Sequence, residues 1–167
     1  METMRFRREA AVAILPIGTG NTPATSNWRS ALPTMSGRLA TLRPLRESDA
    51  PSLLSMLAAK EVTRLVSPPP STLEGFERFI AAMHRQREAA SALCFAVVPR
   101  GMDVAIGLFQ VRQIDPTFET AEWGFALGSA FWGTGLFEES AQLVLAFAFG
   151  VVGVLRMEAR AAVKNGR

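Results

Sequence analysis

The sequence predicts a mixed α/β fold, α/β or α+β in layout, with a central sheet flanked by helices. Three observations carry this. From Arg38 onward, period-two and period-3.6 apolar patterns follow one another in the order β, α, α, β, β, β, α, β. Gly- and Pro-rich breaks separate them. No internal repeat runs through the 167 residues, of which 49% are hydrophobic and 20% charged, a balance that suits one domain with its own core.

Residues 1–36 are expected to be a flexible N-terminal extension, and 37–167 the domain. "PIGTGNTPATSNWRSALPTMSG" is rich in Gly, Pro, Ser, Thr and Asn and shows neither periodicity, and Met35 is an alternative start. "RLATLRPL", from Arg38, alternates as a strand does. "ESDAPSLLSMLAA" follows as a helix, with Ser48 or Asp49 placed to cap it and Pro51 in its first turn. "SPPP" breaks the chain, and Ser71 with Glu74 forms a capping-box pattern. The helix so opened carries Phe76, Phe79, Ile80 and Met83 at core spacing. "ALCFAVVP" reads as a buried strand, "RGMD" as a turn and "VAIGLFQVRQI" as the return strand of a hairpin. "TAEWGFAL" is a third strand, with Trp123, Phe125 and Leu127 on one face and Glu122, Gly124 and Ala126 on the other. A helix over residues 136–149 and the strand "LRMEARA" complete the order.

Composition narrows the function classes. The formal net charge is +3, and the positive charge is mostly arginine spread along the chain. That fits a small anionic ligand and argues against nucleic acid. Cys94 is the lone cysteine, set in "ALCFAVV", and reads as a buried inert thiol. With His84 also alone, no His–Cys metal cluster can be built, and no metal is expected. The longest apolar run, "LVLAFAFGVVGVL", is too short to span a bilayer and is cut by Gly150 and Gly153. The N-terminus fits a signal peptide poorly, so a cytoplasmic protein without membrane association is expected.

The most informative stretch is "FWGTGLFEES", Phe131 to Ser140. A helix start presents N–H groups without internal partners at the positive end of its dipole. Glycines there remove the Cβ atoms that hold an anion away from the backbone. "WGTG" between a strand and a helix therefore reads as a phosphate seat, or as a plain tight turn. A P-loop is excluded because no lysine follows, and a dinucleotide fingerprint because Glu138 stands where its third glycine belongs.

Four stretches, in order, add specificity: "LRPLRESDAPSLL", "AEWGFAL", "FWGTGLFEESAQLVLAFAF" and "LRMEARAAVKNGR". From Arg38 to the end, the chain resembles the GNAT superfamily of acyl-CoA N-acyltransferases, most closely its RimJ/RimL-like, ribosomal-protein-acetyltransferase branch. The resemblance implies a GNAT-like fold with a mixed, mostly antiparallel central sheet flanked by helices. It implies acetyl transfer from acetyl-CoA, as cosubstrate, to a primary amine, a protein N-terminus or a small molecule. A homodimer is compatible with it. Carried over, the pyrophosphate seat is Trp132, Gly133, Thr134, Gly135 and Leu136. The pantetheine arm would lie between the strands at 122–127 and 155–161, which splay apart in this fold. Backbone N–H groups near Ala126 and Leu127 would bind it, with Asn165 alongside. The family's basic residue between the loop glycines is here Thr134, and Ala130 stands where the wider superfamily often has Gln or Arg.

Glu122 is the catalytic candidate, a base acting through water on the attacking amine; the alternative is a structural ion pair with Arg156 or Arg160. Glu139 matches a glutamate of the cofactor-loop helix and is expected to be structural. The tyrosine by which many members protonate the departing thiolate has no counterpart, since the chain contains no tyrosine. The resemblance stops at Arg167, before the family's last helix and strands. The expectation is therefore a C-terminally incomplete domain, marginally stable and prone to self-association. Its last strand would lack a neighbour; should the chain nonetheless prove monomeric, stable and active, the groove would close by another route, such as the first 36 residues folded across it. A non-catalytic acyl-CoA-binding or interaction module is the alternative function.

Overall fold

The structure, a computed structural model, describes residues 2–7, 27–63 and 69–161. Its elements are β1 (Glu2–Arg7), β2 (Met35–Ser36), β3 (Ala40–Pro44), α1 (Ala50–Leu57), α2 (Lys60–Thr63), α3 (Leu73–Glu88), β4 (Ala92–Pro99), β5 (Gly107–Gln113), β6 (Thr120–Leu127), α4 (Leu136–Phe147) and β7 (Arg156–Ala161). The strands form one sheet in the order β1-β7-β6-β5-β4-β3-β2, antiparallel throughout except for the parallel pair β6–β7. This is the mixed α/β layout, a mostly antiparallel sheet flanked by helices, that the sequence predicts. Parallel neighbours need a long crossover. Here α4 supplies it, continuing into a π turn over Ala148–Val152 that Gly153 ends at φ 90°.

The sheet divides two cores. Against one face, α4 packs Val144 and Phe147 onto Phe95, Phe109, Val111, Trp123 and Met157. Phe95 and Phe147 meet edge to face with ring centroids 5.4 Å apart. Against the other face, α1 and α3 bring Leu53, Leu57, Phe76 and Ile80 onto Ala96, Val98, Leu108 and Ala126. All eight residues of β4 are buried, as a central strand covered on both faces requires.

Several boundaries depart from the sequence reading. Trp28 and Leu32 lie in the core under α4's face, with Trp28 edge to face against Phe118 at 5.5 Å, so the packed body reaches back to Asn27, ahead of residue 37. Nor is β7 left without a neighbour: β1 pairs antiparallel with it from Glu2↔Ala161 to Arg7↔Arg156. The N-cap of α3 is Thr72, whose hydroxyl accepts from the Gly75 N–H at 3.0 Å, in place of Ser71. Asp49 precedes α1 without capping it through its side chain. Its carboxylate instead takes both ends of the Arg43 guanidinium, at 2.7 and 2.8 Å, and the Arg46 N–H at 2.8 Å.

That pair is almost wholly buried, with side-chain exposures of 6% and 4%. Bidentate geometry and the extra N–H compensate its desolvation. Removing one member strands a buried charge. Asp49→Asn should therefore lower the unfolding free energy by about 3–5 kcal/mol, read from urea unfolding. The double variant Arg43→Met/Asp49→Leu should lose less than either single change.

Candidate active site

The site begins where β6 and β7 part. Their parallel register runs from Thr120↔Arg156 to Trp123↔Ala159 and goes no further, although β6 continues to Leu127 and β7 to Ala161. A gap therefore opens beside residues 124–127 of β6. Which backbone groups face it follows from alternation along the strand. Gly128 donates its N–H to the Ile106 carbonyl at 2.9 Å, on the β5 side. The Ala126 carbonyl also points there, close enough to Gly107 that a Cβ would lie 2.4 Å from it. Phe125 and Leu127 thus turn their peptide groups toward the gap, and Ala126 does not. Of the two residues near which the resemblance implies arm-binding N–H groups, Leu127 turns its peptide group to the gap and Ala126 turns its own to β5, while Phe125 also faces the gap. Only the register with β5 decides this, and no side-chain pattern reports it.

The glycine loop follows directly. A 3-10 turn, Ser129–Phe131, ends with the Trp132 N–H on the Ser129 carbonyl at 3.2 Å. The Trp132 indole N–H bonds the Leu127 carbonyl at 2.9 Å, and the Thr134 hydroxyl donates to the Phe131 carbonyl at 2.7 Å. Gly133 and Gly135 take φ of 73° and 83°, a region that favours glycine. Gly135 is the N-cap of α4 and offers no side chain to its first turn. Among the described residues, the N–H groups from Gly133 to Glu138 have no acceptor. A Cβ on Gly133 would meet nothing within 4 Å. Bare, outward N–H groups at a helix start are an anion seat. Of the five residues that the resemblance implies for the seat, Gly133, Thr134, Gly135 and Leu136 have such N–H groups, as do Phe137 and Glu138 beyond them, while the Trp132 N–H is spent inside the turn.

Glu139 fixes this seat to the sheet. Its carboxylate accepts the N–H groups of Arg38, Leu39 and Ala40 at 2.7, 2.7 and 2.8 Å. It lies so close over Gly37 that a Cβ there would come within 2.4 Å of it. Desolvation raises the Glu139 pKa, but the three N–H donors and the Arg38 charge outweigh it, leaving the net value below the ordinary one. Its role is structural, as the sequence suggested.

Glu122 is not free. Oε2 receives Arg112 Nη2 at 2.7 Å and Oε1 lies 3.3 Å from Arg160 Nε. Arg156, one of its two expected partners, pairs with Glu158 instead. Arg112, opposite Glu122 on β5, was not anticipated. Cys94 is buried, and desolvation pushes its thiol far above the ordinary range, which leaves it inert. His84 bonds the Leu45 carbonyl at 3.0 Å. Among the described residues no three His, Cys, Asp or Glu side chains converge, and no helix is long and apolar enough to cross a membrane. Asn165 lies outside the described residues.

A central sheet split at one parallel pair, with a bare helix start at the mouth of the split, is the arrangement that the resemblance to acyl-CoA N-acyltransferases implies. The profile of the acetyltransferase (GNAT) domain matches residues 40–167, and the chain belongs to that family. The family transfers an acyl group from acyl-CoA to an amine. An uncharacterized N-acetyltransferase, p20, of Bacillus licheniformis is 28% identical over 126 residues, 75% of this chain and 71% of that one. Two solved structures share the fold at 16% identity, each over 80% of this chain. One is Mycobacterium smegmatis RimJ in complex with CoA-disulfide, of which 69% is covered at a TM-score of 0.69. The other is the ribosomal-protein-S5-alanine acetyltransferase of Vibrio fischeri, of which 76% is covered at a TM-score of 0.71.

Glu139 generates a prediction with a definite sign. A depressed carboxylate pKa stabilises the fold above the unfolded-state value, near ~4.3, and that stability is lost as pH falls through the folded-state value. Glu139→Gln should therefore be less stable than the native chain at pH 7 by about 1–3 kcal/mol. The gap should narrow as pH falls from 5 to 3, read from urea unfolding at each pH.

Proposed function

We propose that the chain is an acetyl-CoA-dependent N-acetyltransferase acting on a primary amine, with the split between β6 and β7 as the place of reaction. The single observation that carries this reading is the juxtaposition of that split with the bare N–H groups of the α4 start. The residues fit the cosubstrate. The N–H groups from Gly133 to Glu138 would hold its pyrophosphate, and the missing Cβ at Gly133 lets the backbone approach. The peptide groups of Phe125 and Leu127 would orient the pantetheine arm and polarise the thioester carbonyl. Asn165 is proposed to lie along the same arm, as the family pattern has it.

The reaction needs little more from the protein. The neutral amine nitrogen forms the new C–N bond, the C–S bond breaks with its electron pair going to sulfur, and the amine's extra proton leaves. An α-amine has a pKa near ~8, so a useful fraction is already neutral at pH 7. Glu122 is proposed to take the proton through water, after one of its arginines has let go of an oxygen. The thiolate, with a thiol pKa near ~8.5, can be protonated by solvent. A cytoplasmic setting and a homodimer remain part of the proposal, as does an acceptor drawn from protein N-termini or small amines.

Two variants test it. Gly133→Ala should weaken CoA binding about tenfold or more by calorimetry, some 1.4 kcal/mol. Its melting temperature should fall as well, because alanine at φ 73° is strained even where its Cβ meets no protein atom, so affinity is compared at a temperature where the variant is folded. Unchanged affinity in the folded variant would remove the loop from the site. Glu122→Gln should lower kcat at neutral pH and recover much of it at higher pH, where more amine is already neutral, with acetyl-CoA affinity nearly intact. Unaltered turnover would make Glu122 a structural ion-pair member only.

A further inference from the structure

The sheet face that carries α1 and α3 is only partly covered. Leu108 and Ala126 lie beneath those helices. Farther along the same face, β5, β6 and β7 present Gln110, Arg112, Glu122, Gly124, Glu158 and Arg160, none of them buried. Gly124 is the first residue of β6 past its last pairing with β7, and a Cβ added there would meet nothing within 4 Å. The floor beside Glu122 is therefore open backbone, directly at the split.

The charges around that floor are specific. Glu122 is held, with 17% of its side chain exposed, while the flanking Arg112 and Arg160 are 58% and 53% exposed. A guanidinium has five N–H donors. Arg112 spends Nη2 on Glu122 and Arg160 faces it with Nε; among the described residues neither has another partner. Two cations around one carboxylate leave a local excess of positive charge. A bare ammonium approaching Glu122 meets both of them. An amine that carries its own carboxylate meets complementary groups instead. Its carboxylate satisfies the spare guanidinium N–H groups in the bidentate manner arginine favours, and in doing so draws an arginine off Glu122. The freed oxygen then faces the amine.

We infer that the acceptor is an amine bearing a carboxylate, bound by Arg112 and Arg160 on the open floor at Gly124. This rests on the acetyltransferase reading above and names the class of its acceptor. The carboxylate has two chemical sources, a free amino acid or an acidic residue beside a peptide N-terminus, and they are separated by the test. Arg112 and Arg160 act as specificity-determining residues, while the proton transfer stays with Glu122.

The experiment measures acetyl transfer by the full chain from acetyl-CoA to matched pairs. One pair is phenylalanine and phenethylamine; the other is the peptide amides Ala-Glu-NH2 and Ala-Gln-NH2. The carboxylated member of at least one pair should be preferred about tenfold or more in kcat/KM, and the pair that shows it identifies the source. Arg112→Gln and Arg160→Gln, both exposed positions whose folding is checked by thermal unfolding, should collapse that preference through KM. Gly124→Val should suppress turnover of every acceptor while leaving CoA affinity intact. Equal kcat/KM within both pairs, or a preference that survives both arginine variants, overturns the inference and leaves acetyl transfer standing. Failure to acetylate any of the four amines overturns the acetyltransferase reading instead. Calorimetry of phenylalanine against phenethylamine, with CoA present, then still reads the charge preference, and its absence there overturns the inference too.

Discussion

The parting of β6 from β7 after Trp123↔Ala159 is the constraint on which the rest of the molecule depends. Two parallel strands that pair along part of their length cannot be joined by a tight turn, so the chain must leave the sheet and return. The exit places the glycine loop and the start of α4 at the open end of the split. β6 is held to β5 as far as Leu127, with the Ala126 carbonyl pressed against Gly107, where no Cβ is tolerated. β7 is held on its other side by β1. Each strand is thus committed to its outer neighbour, and the gap between them is kept open from both sides.

Rigidity at the mouth of the gap has a second source. Glu139 clamps the turn before β3 with three N–H bonds, so the first turn of α4 is fixed to the far side of the sheet. A few residues on, Arg43 and Asp49 tie β3 to the start of α1. β3 therefore carries a polar clamp toward each layer, one to α4 and one to α1. Polar anchors of this kind have directional geometry that apolar packing lacks, and both lie where a layer would otherwise be free to slide on the sheet.

Legibility in the sequence follows how local each determinant is. β4 and β6 were readable to the residue because apolar runs and alternation are set by neighbours along the chain. The helix cap was placed one residue early because Ser71 and Thr72 offer equivalent hydroxyls, and it is the Thr72 hydroxyl that accepts from the Gly75 N–H. β1 and the burial of Trp28 were not legible, since their partners, β7 and Phe118, lie far along the chain and leave no periodic trace. The glycine loop was read from its own residues and Glu139 through resemblance, and both stand at the start of α4. The partners of Glu122 were half legible. Arg160 was one of two options, whereas Arg112 faces it only through the β5–β6 register.

The loop itself shows a choice between charge and order. A basic side chain between the two glycines would add attraction for a phosphate, but a long flexible side chain loses entropy each time it binds. Thr134 instead turns its hydroxyl back onto the Phe131 carbonyl and stiffens the loop from within. The donors that remain are backbone N–H groups, already fixed by Gly133, Gly135 and the clamp of Glu139 on the β3 side. Preorganised dipoles lose nothing on binding and are less sensitive to salt than an exposed cation. The positive side chains that could have stood at the loop are found across the sheet, at Arg112 and Arg160 beside Glu122. Backbone geometry therefore serves the end of the site that would take the shared anionic ligand. Side-chain charge, which substitution can retune without touching the fold, is kept for the open floor beside Glu122.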